Sequence, residues 1–224
     1  MRPSDGRRRT NCEFMNVALK CYACDQPATT REHAPPICFF PKEHRINLIT
    51  VPSCVLHNNA NSLDVEYSRN VITTMFGTNE IAQRQFSDKV EKSFVNSPNL
   101  VYTTFADIRG VVFDRTLTGV CTVNTKRMER VMSACAGALH FRETGERKTE
   151  WYIVFPNLAL SENAQQETVA AWSQFLSILG KMRLSKRTTS SPEVFKYAFA
   201  DDLEVPAYGM FFYKAFSVFA LATP

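Results

Sequence analysis

The chain reads as an α+β protein: a short β-rich module crowded with cysteine and histidine, then helices, then a mixed α and β region closing on an antiparallel sheet. Three observations predict this. Residues 21–58 hold seven of the eleven Cys and His residues, and prolines at 27, 35, 36, 41 and 52 forbid a long helix there. From Asn58 onward the apolar residues fall at three- and four-residue steps, the helical period. Near the C-terminus, aromatic and β-branched residues dominate residues 194–200 and 208–221, as in paired strands.

Composition sets the outer limits. With 224 residues, 45% of them apolar and 21% charged, the chain can bury a core as one large domain or two small ones. The 26 basic residues exceed the 22 acidic ones by only four, so binding to a polyanion would need local patches. Two basic runs stand out, Arg7-Arg8-Arg9 and residues 181–187, and each taken alone reads first as a solvated tail or helix end. No run reaches the ~18 apolar residues that span a bilayer; the nearest, 210–222, is short and carries Lys214. The basic N-terminus lacks the apolar stretch of a secretory signal, so the expectation is a soluble, cytoplasmic protein with no membrane partner.

Taken in order, residues 1–18 read as a basic arm, 19–97 as the Cys/His module with its helices, and 100–224 as a second α+β domain. Within the module the best strand is 46–51, Ile-Asn-Leu-Ile-Thr-Val. A helix follows, with Leu63, Tyr67, Val71, Ile72, Met75 and Phe76 on its apolar stripe and Gly77 to close it. A second spans about 80–95, with Ile81, Phe86, Val90 and Phe94 inward. Asn96-Ser97-Pro98-Asn99 is the clearest linker and marks the expected boundary. Beyond it, residues 125–141 form a helix with Met128, Val131, Met132, Cys135, Ala138 and Leu139 on one face. Residues 151–155 form a strand, and 165–182 an amphipathic helix burying Val169, Trp172, Phe175, Leu176 and Leu179. The last two strands form a hairpin around Asp201-Asp202. His140 sits on an amphipathic helix far from the module and reads as structural.

The chemistry concentrates in the module. Cys21-x-x-Cys24 and Cys54-x-x-His57 are two metal-ligand pairs, 29 residues apart. Thiolates with an imidazole suit tetrahedral zinc, and the second pair immediately precedes the Asn58 helix, so zinc would tie a hairpin to a helix start as in a treble clef. Crowding of this kind in a reducing compartment points to a metal rather than to disulfides. Cys12, Cys121 and Cys135 are scattered and read as structural.

Between the pairs stand Arg31-Glu32-His33 and, fourteen residues after His33, Asn47-Leu48; Asn58 follows His57 directly. In this order the residues resemble the zinc-containing HNH endonuclease family, the ββα-metal nucleases, over roughly residues 19–76. Two positions depart from the family pattern: Glu32 where an aspartate is more usual, and His57 where a cysteine is. The resemblance implies a metal-dependent endonuclease hydrolysing phosphodiester bonds, with DNA the expected nucleic-acid partner. It implies His33 as general base, Asn47 as the residue orienting it, and Glu32 and Asn58 as ligands of a catalytic Mg2+ or Mn2+. Cys21, Cys24, Cys54 and His57 then hold a structural zinc. The chemistry is coherent, since a neutral imidazole takes a proton from water at pH 7 and a hard cation on oxygen ligands steadies the phosphate and the departing oxygen. Hydrolysis at the zinc itself is disfavoured, because four protein ligands leave no position for water.

Several roles stay open at the level of residues. Asn58 could instead cap the helix, with Asn59 or Asn61 taking either task. Glu32 could pair with Arg31, and His33 could be a satisfied core histidine. Arg31 and Arg45 are candidate phosphate contacts or simply exposed loop residues, and His44 reads as a solvated loop histidine. The competing function is a non-catalytic zinc-stabilised module that binds nucleic acid or protein, a catalytically weakened relative acting as an adaptor included. The second domain is the expected seat of a homodimer contact or a protein partner.

Overall fold

The structure is a computed structural model and describes residues 19–113, 115–158, 185–187, 189–200 and 205–223, with isolated positions between 166 and 173. The expected basic arm, the 165–182 helix and the Asp201-Asp202 turn fall wholly or mainly outside these residues.

The first layer is a small hairpin and the helices that follow it. Strand β1 (Thr30–His33) pairs antiparallel with β2 (Thr50–Ser53), Glu32 opposite Val51 and His33 opposite Thr50. The strand expected at 46–51 thus starts later. Asn47 adopts a left-handed φ of 50°, which an asparagine tolerates and a continuing strand does not. Helix α1 (Val55–Asn59) begins on Cys54 and is followed by α2 (Ser62–Thr74). A helical run then comprises α3 (Glu80–Gln85), a π-helical turn (Phe86–Glu91) and α4 (Lys92–Asn96). Asn79 caps α3 by accepting a hydrogen bond from the Ala82 amide.

After a break at residues 97–98 come α5 (Asn99–Thr104) and a hairpin of β3 (Ala106–Phe113) with β4 (Thr116–Thr122), elements that lacked a sequence signal strong enough to register. This ribbon stands largely in solvent, and Ile108, Val112 and Val120 on it are exposed. Helix α6 (Thr125–Thr144) is the long helix expected, capped by Asn124 at its start and closed by Gly145 at φ 75°. Its inward face carries the residues its period predicted: Met128, Val131, Met132, Cys135, Ala138 and Leu139 are all buried.

The last layer is a five-stranded antiparallel sheet of β5 (Trp151–Val154), β6 (Ser185–Arg187), β7 (Phe195–Ala200), β8 (Ala207–Phe212) and β9 (Phe216–Ala222), in the order β5-β9-β8-β7-β6. What reads in sequence as one strand over 208–221 is two. Tyr213 and Lys214 take φ of 49° and 70°, turning β8 back into β9. β8 lies central and nearly all its side chains are buried, whereas β9 alternates buried and half-buried residues.

α6 bridges the layers. The Asp64 carboxylate of α2 accepts hydrogen bonds from Arg127 Nε at 2.7 Å and Arg130 Nε at 2.8 Å, and the Arg127 guanidinium also lies over the Tyr67 ring. On its sheet side, His140 is buried against Trp151 and meets the Tyr208 hydroxyl at 3.2 Å, in keeping with a structural role. The Tyr213 hydroxyl donates to the Phe39 carbonyl, fixing the β8–β9 turn to the first layer. One set of buried side chains, including Val51, Val71, Met132, Phe212 and Val218, therefore runs across the break at 96–99, which parts α4 from α5 without parting two cores. Among the described residues no helix is long and apolar enough to cross a membrane.

Candidate metal centre and adjoining cleft

The Cys/His set converges as its spacing predicts. Backbone bonds from Cys21 to the Gln26 carbonyl and from Ala28 to the Leu19 carbonyl fold residues 19–28 into a tight knuckle, turning Cys21 and Cys24 toward one point. Cys54 and His57 arrive at that point from the first turn of α1. The donor atoms of all four lie within 4.8 Å of one another. Cys24 Sγ is 3.9 Å from Cys54 Sγ, and His57 Nδ1 is 3.2 Å from Cys54 Sγ and 3.7 Å from Cys21 Sγ. A tetrahedron with zinc bonds of ~2.3 Å to sulfur and ~2.0 Å to nitrogen has edges of ~3.8 and ~3.5 Å, so the donors fit that ion with little movement. Burial opposes ionisation of Cys21, but amide hydrogen bonds, led by that of Ala23, outweigh it and hold the thiol below its usual range. Such a Cys3His set could hold a metal ion such as zinc, and four protein ligands of this kind suit a structural site.

Beside this centre a cleft of about 330 Å³ opens between β1, the two helices and α6. Glu32 and His33 enter it from β1, Asn58 from α1, and Cys135 from α6. Residues Ser62, Val65, Glu66 and Arg69 line it from one face of α2, at the spacing of successive helical turns. Three of the residues singled out in the sequence are thus brought together: Glu32, His33 and Asn58.

Glu32 is not paired with Arg31, because Arg31 donates from Nε and Nη2 to Thr50 Oγ1 at 3.0 and 2.9 Å. Instead Glu32 Oε2 is buried with no hydrogen-bond partner among the described residues. Burial pushes this carboxyl up to about 7, opposed only by the amide of His33. A carboxylate oxygen left unpartnered in a water-accessible cleft suits a hard cation, whose charge would lower that cost. The His33 imidazole is held below its ordinary range, first by burial and then by the charges of Arg45 and Arg31, which leaves it neutral at pH 7.

The helix caps decide part of the ambiguity over the asparagines. Cys54 is the N-cap of α1 and Asn61 that of α2, without a side-chain capping bond in either case. Asn58 therefore lies within α1, and its side chain is not committed to a cap. Asn47 stands apart: exposed, outside the cleft, its carbonyl accepting from Ser190 Oγ at 3.3 Å. Arg31 and Arg45 likewise do not line the cleft, and Arg45 Nε donates to the Phe40 carbonyl at 2.9 Å.

No protein-family model, curated protein or solved structure matches the chain.

The residue that sequence reasoning missed is Arg69. It is 4% exposed, and its guanidinium donates to Asn70 Oδ1 at 2.7 and 3.1 Å and to Glu66 Oε1 at 3.2 Å. The signal was present as a stripe at 58, 62, 65, 66 and 69, but an arginine amid a helix that also buries Tyr67 and Val71 reads first as an outward charge.

Proposed function

We propose that the protein is a metal-dependent endonuclease of the HNH kind, hydrolysing phosphodiester bonds of nucleic acid, with DNA the expected target. One observation carries the reading: an unpartnered acid, a neutral imidazole and an uncommitted amide, Glu32, His33 and Asn58, line a single cleft against a Cys3His centre. A purely structural zinc module has no use for that trio. His33 takes the proton of the attacking water, and burial, helped by the charges of Arg45 and Arg31, keeps it unprotonated until it does. The Glu32 carboxylate and the Asn58 amide oxygen would hold Mg2+ or Mn2+, which when bound polarises the phosphate and steadies the departing oxyanion. Zinc on Cys21, Cys24, Cys54 and His57 fixes the start of α1, and so the position of Asn58 relative to β1.

Asn47, outside the cleft, is assigned the shaping of the loop before β2 rather than contact with His33. That same position favours the competing reading, a non-catalytic zinc-stabilised binding module. Binding of Mn2+ to the zinc-loaded protein separates the two. The nuclease reading expects one Mn2+ site per chain, lost or weakened at least tenfold in both Glu32→Gln and Asn58→Ala. No Mn2+ site, or one indifferent to both substitutions, would favour the binding module.

A further inference from the structure

Next to the candidate cleft lies a second concavity, of about 490 Å³, formed by the 42–45 turn and the α3–α4 helical run. Five basic side chains line it: Lys42, Arg45, Arg84, Lys89 and Lys92. Only Glu43 and Asp88 oppose them there. Arg84 is 3.7 Å from Glu80 and Lys92 is 4.0 Å from Asp88, both loose, solvent-facing pairs. Lys42, Arg45 and Lys89 form no ion pair among the described residues. For a chain with a net charge of only +4, this is a concentrated positive surface.

Its charge is continuous with the cleft. Cys38 lines the cleft and its carbonyl accepts from Gln85 Nε2 of the second concavity at 2.7 Å, while Arg69, Lys89 and Arg45, opposed by Glu66, act on its thiol. The ammonium of Lys89 is held below its usual range, first by burial and then by the Arg69 charge. Arg45, which lines the second concavity, also acts on the His33 imidazole. Positive charge thus runs from Arg69 inside the cleft, past Lys89 and Arg45, into the concavity beside it. A chain of evenly spaced anions crossing the cleft would meet these groups next, whereas a single small anion would engage only one of them.

We infer that the concavity lined by Lys42, Arg45 and Lys89 holds the sugar-phosphate backbone of the nucleic acid on one side of the bond to be cut. The inference rests on the nuclease reading for its choice of ligand. Because these side chains meet phosphates, they position the strand without reading its sequence.

The test is fluorescence anisotropy with a labelled DNA duplex across a series of salt concentrations, in His33→Ala to prevent cutting. Lys42→Gln with Lys89→Gln, both solvent-exposed positions, should weaken binding and flatten the dependence of log affinity on log salt by about 0.9 for each phosphate no longer neutralised. Lys89→Arg should retain the steeper slope, and Lys196→Gln, an exposed lysine on β7, should alter neither quantity. An unchanged slope in the double variant overturns the inference, as does a parent protein that binds no duplex. Hydrolysis is read separately with the active chain, so a protein that binds through this surface and never cuts would sink the nuclease reading and leave only the backbone-binding role of the concavity standing.

Discussion

Glu32 offers the sharpest physical test of the cleft. Replacing it by glutamine keeps the shape and removes the charge. In the unfolded chain this carboxyl titrates near ~4.3; folded, and without a divalent ion beside it, it titrates at about 7. The folded state therefore favours the protonated acid. Its full contribution to stability is present below about pH 4, declines as pH rises through about 7, and is absent above. At full burial the gap corresponds to ~3.7 kcal/mol. The side chain is only half-buried and cleft water screens it, so ~1.5 kcal/mol is the working figure. Glutamine carries no such dependence. Urea unfolding of zinc-loaded protein, free of other divalent ions, should show Glu32→Gln more stable than wild type at pH 8. At ~3 kcal/mol per molar urea the midpoint rises by ~0.5 M, and the difference shrinks toward zero at pH 5. Millimolar Mg2+ or Mn2+ should then stabilise wild type and leave the variant unmoved. A variant matching wild type at both pH values would mean a solvated surface carboxylate, and one less stable at pH 8 would mean a partnered charge; either refutes the reasoning.

Two further expectations concern the scaffold. A Cβ at Gly137 would sit 2.8 Å from the Lys148 carbonyl oxygen, a backbone atom that cannot swing aside. Gly137→Ala should therefore destabilise by about 1–3 kcal/mol, against the ~1 kcal/mol gain that helix propensity alone would give, and a raised melting temperature would contradict the close approach of α6 to that loop. Purified protein should carry one zinc per chain, and removal by a chelator, or Cys54→Ser, should abolish cooperative unfolding of the β1–β2 and α1 region as read by amide exchange. Protection that survives zinc removal would show that the hairpin holds without the metal.

The long helices were legible because their period is dictated by burial on one side: α6 buries the face its apolar residues marked. The α2 stripe was only half right. Tyr67, Val71 and Ile72 are buried, but Leu63 and Phe76 are 73% and 58% exposed, and Ser68, Arg69 and Asn70 lie inside. A helix that packs on α6 while lining a polar cleft breaks the single-stripe rule. The β3–β4 ribbon escaped notice because most of its described side chains face water and leave no strong alternation to detect. The Cys3His centre was readable from spacing, since two short-range pairs need little more than one chain reversal to meet. Whether Glu32 and Asn58 shared a cleft depended on the helix start and could not be read from spacing, and the isolation of Asn47 follows from a left-handed residue no pattern announces.

The central claim is that this cleft cuts nucleic acid with His33 as its base. Supercoiled plasmid and labelled RNA should each be incubated with wild type and His33→Ala, in Mg2+, Mn2+ or EDTA. The account predicts plasmid nicking or linearisation by wild type with either cation, none in EDTA, and a loss of at least a hundredfold in His33→Ala. Cutting that persists at full rate in His33→Ala, or a zinc-loaded wild type that binds nucleic acid and leaves every phosphodiester intact, would contradict it.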